Sequence, residues 1–312
     1  VEKKTEKKTK TGGKNLKIRG ILQVSDALSC TRWAADKGFA QGHKADFEAD
    51  KTGLNPFTYQ RHYTRYWGTM TINLRDLASR KADAFDNVTK ALLEGLQVGG
   101  NQSAHAATLT PEVICWRTHN VPGQGGLALP LTMTEAWRPD EDLDLTLLFN
   151  QAKDRGFMFN ICGSNSKVPE GEVAVDTMDT MDQGLKAIQA AAKGDDAYLT
   201  LLYISQPMLA SNARGEGLGG NGQTLQQVNV INGTLTVMSG YAVRYALRAA
   251  MECLGSEMWR KHNATPTASG FGYGPDNVHS MLLGCPETVA DAYKYDDLSL
   301  FGIMVAASGK EE

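Results

Sequence analysis

Between residues 207 and 254 the sequence carries side chains that could bind an anion: Asn212 and Arg214, a glycine-rich run, Ser239, then Arg244 and Arg248. Arginine donates to phosphate oxygens through a planar fork, and the free amides that open a helix attract the same oxygens. Arg244 and Arg248 are four residues apart, one turn above the other on a single side of a helix. Together these groups could cradle a phosphate chain. A solvated helix face accounts for the two arginines equally well, since charged residues usually meet water. Gly215, Gly217 and Gly220 match G-x-G-x-x-G, but a dinucleotide site needs a helix directly after the glycines. Here LQQVNVINGTLTV follows, which alternates like a strand or hairpin and carries an Asn-Gly turn signal. A dinucleotide site is therefore not expected.

The elements that must position these groups are legible. LTLLYISQPML, ending at Leu209, reads as a buried strand. After the glycine loop, Ala242, Val243, Ala246, Leu247, Ala250, Met251 and Leu254 recur at helical spacing as one apolar stripe. Ser239 stands at the N-cap position of that helix.

At 312 residues and a formal charge of −3, the chain can bury a sizeable core in one large domain or two. Residues 1–20 hold eight Lys and Arg against Glu2 and Glu6, a local excess of six that suits a polyanion or a solvated tail. We read residues 1–18 as a basic flexible linker. The five cysteines are spread out with no C-x-x-C, which excludes a disulfide framework or zinc site and fits a reducing, cytoplasmic setting. No apolar run reaches membrane-spanning length and no signal peptide opens the chain, so no membrane partner is expected. Neither a metal nor another cofactor is expected.

Along the chain, IRGILQVSDALS reads as a strand with polar exits at Ser25 and Asp26. Residues 31–66 lose periodicity and read as a surface insertion. WGTMTINL returns to strand. A helix is predicted over residues 80–96 from Phe85, Val88, Leu92 and Leu96, stopping at Gly99-Gly100. His105 in the following loop has no second ligand at metal spacing. EVICWRTH is a strand, DLTLLFNQAKDRGFMFNICG is ambiguous between helix and strand, and TMDQGLKAIQAAAK is an amphipathic helix. Residues 259–281 are irregular, and LFGIMVAAS closes as a short strand. This alternation predicts an α+β sandwich with helices on one sheet face. A split β-α-β unit of the ferredoxin-like or RRM-like kind fits, although no RNP aromatic motif accompanies it.

Several segments are familiar jointly. ASNARGEGLGGNGQTLQ followed by VMSGYAVRYALR, then DDLSLFGIM (Asp296 to Met304), VSDALS, TRYWGTMTINLRDL and LLEGLQVGGNQSAH resemble the DevR-type CRISPR-associated proteins. These form the Cas seven family, the repeated backbone subunit of type I Cascade surveillance complexes. The order is displaced: residues 195–312 look like the family's front part and residues 1–194 its back part, as in a circular permutation.

The resemblance implies a single RRM-like domain over 19–312 with a thumb-like insertion at 31–66 and a finger-like one at 259–295. It implies polymerisation along CRISPR RNA, with copies of itself, other Cascade subunits and target DNA as partners in antiviral defence. Carried over residue by residue, the RNA surface would comprise Arg19, Ser25, Gly99, Gly100, Asn101, Gln102, Asn212, Arg214, Ser239, Arg244 and Arg248. Related RNA-cutting backbones use an aspartate in the glycine loop; here only Glu216 is offered, so no catalytic residue is expected. Contacts from Arg, Ser and backbone amides suit sequence-blind recognition of a guide. Two alternatives stay open. One is an RNA-cleaving or nucleotide-dependent enzyme using the 214–222 glycine loop, against which no P-loop lysine is present. The other is a DNA-binding regulator, for which no helix-turn-helix pattern is visible.

Overall fold

The structure, a computed structural model, describes residues 16–34, 37–40, 57–98, 108–121, 137–156, 158–163, 174–178, 180–210, 213–214, 222–231, 233–258 and 288–305. The first strands are β1 (Leu16–Arg19), β2 (Leu22–Val24), β3 (Ala27–Ser29), β4 (Lys37–Ala40), β5 (Phe57–Gln60), β6 (Tyr63–Thr64) and β7 (Tyr66–Asn73). Helices α1 (Leu74–Ala78) and α2 (Ala84–Glu94) follow, then β8 (Leu96–Gln97), β9 (Thr108–Leu109) and β10 (Pro111–His119). Next come α3 (Thr146–Asp154), β11 (Phe159–Cys162), β12 (Ala174–Met178), α4 (Met181–Ala192) and β13 (Tyr198–Ser205). β14 (Met208–Leu209), β15 (Ala213–Arg214), β16 (Gly222–Leu225), β17 (Gln227–Val230) and β18 (Gly233–Met238) lead to α5 (Gly240–Cys253). Two short helices, Val289–Ala292 and Asp296–Phe301, precede β19 (Gly302–Val305).

The fold is mixed α+β around one large sheet with the order β12-β11-β10-β13-β7-β3-β18-β17; β2 pairs with β7 as well, on the edge away from β13. Within it only β11 and β12 run parallel. The period of two in β7, β10 and β13 divides the core between the sheet's faces. Tyr66, Met70, Ile72, Ile114, Trp116, Leu199, Leu201 and Tyr203 meet α2, α4 and α5 through Phe85, Val88, Leu92, Ile188, Val243, Leu247 and Met251. Trp67, Val113, Cys115, Leu202 and Ile204 face the other way, onto α3 and the segment before it, with Trp137, Leu148 and Phe149. Truncating a stripe residue such as the fully buried Leu247 to Ala should cost about 2–5 kcal/mol.

Beside α3, the same face turns polar along the register. Gln23 stands opposite Thr71, Thr71 opposite Thr200, and Thr200 opposite Arg117. Thr200 bonds the Thr71 hydroxyl at 2.9 Å and His119 Nε2 at 3.0 Å. At the sheet's other end a buried network joins Thr31, His62, Thr64, Tyr66 and Thr236. His62 Nδ1 lies 2.7 Å from the Thr236 hydroxyl and Nε2 3.1 Å from that of Thr31. Burial pulls the imidazole down to about 4, despite a hydrogen bond with the Arg32 backbone, so His62 is neutral at pH 7. Arg65 is held beside this network by a bidentate pair with Glu112, at 2.7 and 3.3 Å, and by the Arg138 carbonyl.

Three expectations need correction. The second helix ends at Gly95, where φ is 90°, rather than at Gly99-Gly100. Leu96 is buried as expected, but in β8. The stretch 31–66 is not all surface insertion: His62, Thr64, Arg65 and Tyr66 are buried, and β4 and β5 join β16 and β15 in a separate four-stranded sheet. The segment 144–163, left ambiguous by its pattern, is helix then strand, α3 and β11. Most of the 259–295 insertion, residues 1–15 of the basic segment and His105 lie outside the described residues. No described helix is long and apolar enough to cross a membrane.

Candidate nucleic-acid interface

α5 starts where the sequence sets it. Ser239 has an extended backbone, and its hydroxyl accepts from the Ala242 amide at 3.2 Å. A second capping group comes from far along the chain: Asp26 Oδ1 accepts from the Gly240 amide at 2.7 Å. Gly240 is needed for this docking, since a Cβ there would meet the Val24 carbonyl at 2.7 Å. The turn between β2 and β3 is held in turn by Ser25, whose hydroxyl accepts from the Thr69 amide at 2.9 Å and donates to the Asp26 carbonyl at 2.8 Å.

The predicted phosphate cradle at this helix start is thus already occupied by protein. Ser25 and Ser239 hold the turn and the cap, and two amides of the first turn are taken.

Arg244 Nε donates to the Gly240 carbonyl at 3.1 Å, which lays the side chain back along its own helix. Arg248 takes a different course: its guanidinium carbon lies 4.4 Å from the centre of the Phe301 ring. Phe301 ends the helix Asp296–Phe301 and leads into β19, whose Gly302 stands opposite Arg19 of β1. Gly302 has φ 69°, and a Cβ there would run into the Ile18 carbonyl. Arg19 is exposed, and its carbonyl accepts from Arg80 Nη1 at 2.8 Å. Arg80 also bonds the Ser299 carbonyl at 2.8 Å. Arg19 and Arg248 therefore both belong to the junction around Phe301–Gly302.

β15, which carries Arg214, pairs with β16, and β16 with β5. Gln60 Oε1 ties the junction by accepting from the Leu225 amide at 2.8 Å and from Gln227 Nε2 at 3.0 Å. β15 and β16 thus share one small sheet with β4 and β5. Gly99, Gly100, Asn101, Gln102, Asn212 and Glu216 lie outside the described residues.

Four residues at this surface were not singled out by sequence reasoning. Asp26 was seen only as a polar exit, and its bond to Gly240 spans most of the chain. Phe301 was noted within DDLSLFGIM, but nothing local pointed to an arginine above it. Tyr241 and Tyr245 are 66 and 43 % exposed on α5, and their i, i+4 spacing off the apolar stripe was a readable signal. Leu254, assigned to that stripe, is exposed. Among the described residues no group of three or more His, Cys, Asp or Glu could hold a metal ion.

No family model and no curated protein matches the chain.

Proposed function

We propose that this protein is a guide-RNA-binding backbone subunit of a type I CRISPR Cascade complex. It assembles with copies of itself along CRISPR RNA in the cytoplasm, grips the phosphate backbone and leaves the bases to pair with target DNA. The observation that carries this reading is the path through the four central strands. Taken as a cycle in which residue 312 leads to residue 1, the order is β13, α5, β2, β7, α2, β10, while the sheet order is β10-β13-β7-β2. In this chain α2 lies between β7 and β10, which flank the antiparallel β13; with the ends joined, α5 would lie likewise between β13 and β2, which supports a double split β-α-β reading of the ferredoxin-like or RRM-like kind.

The starting point also matches the displaced motif order. Starting at β13 requires the path from α5 to β2 to pass over β19 and β1. Those two strands are antiparallel neighbours, with Leu16 opposite Val305. The segment that resembles the family's front therefore meets the segment that resembles its back in one ladder. α5 brings Arg244 and Arg248 to this core, and Arg19 lies at the junction beside it. A short basic strip on a chain of net charge −3 is enough for phosphate contacts that ignore sequence.

The test is co-expression with a CRISPR array and the partner subunits. The protein should purify as an oligomer carrying RNA of uniform length. An RNA-free monomer under those conditions overturns the proposal.

A further inference from the structure

We infer that His62 makes an acid-sensitive joint in the fold: a proton on its Nδ1 reverses a buried chain of hydrogen bonds and frees β6 from β18. The inference goes beyond the RNA reading above and does not depend on it.

The chain of bonds has one fixed end. The Thr64 hydroxyl donates to the Arg65 carbonyl at 3.1 Å, and a carbonyl can only accept. Thr31 therefore donates to Thr64, at 2.7 Å, and its oxygen accepts from His62 Nε2, 3.1 Å away. A neutral imidazole with its hydrogen on Nε2 accepts at Nδ1. Thr236 supplies that hydrogen at 2.7 Å, and Tyr66 in turn donates to Thr236 at 2.6 Å. All the hydrogens thus point one way, from Tyr66 at the start of β7, through β18 and the ring, to the Arg65 carbonyl after β6.

A proton on Nδ1 turns that acceptor into a donor. The Thr236 hydroxyl must then turn towards Tyr66, whose own hydrogen has no second acceptor among the described residues. Tyr66 and Thr236 are each 1 % exposed, so water cannot take it. Nor does nearby charge compensate. Burial shifts the ring down, opposed only by the hydrogen bond with the Arg32 backbone. The ionisable groups on the surrounding segments are Cys30, Arg32, Arg61, Tyr63, Arg65, Tyr66 and Glu112, while β14, β17 and β18 carry none. Burial pushes the Cys30 thiol and the Tyr66 phenol up, so both stay neutral in acid, and the Glu112 carboxylate is held by Arg65 at 2.7 Å.

The joint secures a defined piece of backbone. The His62 carbonyl accepts from the Ala210 amide at 2.8 Å, and Thr64 stands opposite Met208 in the β6–β14 ladder. These bonds should open first, while β13 keeps its ladders with β7 and β10. The folded ring titrates at about 4 against an ordinary 6.5, so the opened state takes the proton first. The joint is fully closed above the ordinary value and is lost as pH falls from there towards the folded one.

Nitrogen NMR of the wild-type ring at neutral pH should show hydrogen on Nε2 alone. Amide exchange, corrected for intrinsic rates, should show Ala210 opening ahead of β13, with a gain of about tenfold per pH unit as pH falls below the ordinary histidine value. In His62→Gln, which can donate to Thr31 but takes no proton, that gain should vanish. Tyr66→Phe removes the opposing donor, so His62 should titrate nearer its ordinary value; burial alone would leave it unmoved. Hydrogen on Nδ1 at neutral pH, an Ala210 amide that exchanges together with β13 at every pH, or a Tyr66→Phe ring that titrates like wild type each overturns the inference. The first two outcomes are read on the wild-type protein, so they need no variant that folds.

Discussion

Helices α2 and α5 lie side by side on the same face of the sheet and bury similar stripes, but their remaining faces are used differently. On α2 the polar side chains are bound to neighbouring elements. Asn87 donates to Asp296 at 2.8 Å, Asp86 meets Lys193 at 3.3 Å, and Thr89 accepts from Gln189 at 2.8 Å. α4, the closing helix Asp296–Phe301 and α5 all pack on it. On α5, Arg244 Nε bonds backward along its own helix, and Tyr241 and Tyr245 are largely exposed. A helix whose polar groups are bound by the fold is a centre of assembly. One with cations and rings nearer its surface is where the proposed RNA contacts would fall. Substitutions on the α2 side should therefore unfold the protein, and those on α5 should leave it folded.

The largest effect should follow Asp296→Ala. Asp296 is fully buried; it accepts from Asn87 and pairs with Lys81 Nζ at 2.8 Å. Lys81 is 19 % exposed, and its other carboxylate partner, Glu257, is 73 % exposed. Burial by itself would lower the Lys81 pKa, but hydrogen bonds and attraction to Asp296 and Glu257 outweigh it and the net shift is upward. The Lys81 contribution is therefore fully present below the ordinary lysine pKa and is lost as pH rises through the raised value. Removing Asp296 leaves a largely buried ammonium with one solvated partner, which should cost about 3–5 kcal/mol. A fall in the urea midpoint with unchanged slope measures it. RNA binding by the folded fraction should be unaltered. A variant of unchanged midpoint would break the contrast between the helices.

A smaller effect, on binding, distinguishes the two arginines of α5. Arg244→Glu and Arg248→Glu should each weaken RNA binding by about 2 kcal/mol, the value of a charge-assisted hydrogen bond, and make the salt dependence shallower. Only Arg248→Glu should also lower stability, by about 1 kcal/mol, because it alone loses an aromatic partner, Phe301. Lys7→Glu, in the basic segment, should change neither. Binding isotherms at two salt concentrations beside thermal melts measure both quantities. Equal melts for the two arginine variants would show that the Phe301 contact contributes little.

Much of this contrast was legible in the sequence where a period decided it. α4 follows Met181, Leu185 and Ile188 and begins at Thr180, whose hydroxyl caps it. α5 follows its stripe from the Ser239 cap. Periodicity failed where two backbones bury the same residue. Leu96 stands four after Leu92 and so continued the helical pattern, but the chain had already turned at Gly95. It failed again where pairing is distant. β4, β5 and β16 are four-residue strands, and β16 finds β5 in parallel across more than 150 residues, so no local pattern announces the sheet. The RNA surface was half legible for a related reason. A sequence shows which hydroxyls and arginines exist, but not which are already taken. The Thr69 amide takes Ser25 and the Ala242 amide takes Ser239.

The smallest effect should come from the largest covalent change. If the core is a ferredoxin-like unit followed from β13, the α4–β13 connection is a late join rather than part of the architecture. Joining residue 312 to residue 1 and opening the chain between Gly194 and Asp195 should then leave the melting temperature within a few degrees. Both residues at the new opening are exposed, at the turn after α4. The new closure spans β19 and β1, which already pair over four residues, from Leu16 opposite Val305 to Arg19 opposite Gly302. Closing one surface connection and opening another changes loop entropy only logarithmically, by about 1 kcal/mol. The contacts that set β13 in the sheet lie in its ladders with β7 and β10, not in the connection. As a control, opening the chain between Ser239 and Gly240 should destabilise it strongly, because that cut severs the Ser239 cap from α5 and turns the Gly240 amide held by Asp26 into a chain end. If the two cuts cost the same, the α4–β13 connection is integral to the fold, and the rotated path through the central strands loses its physical support.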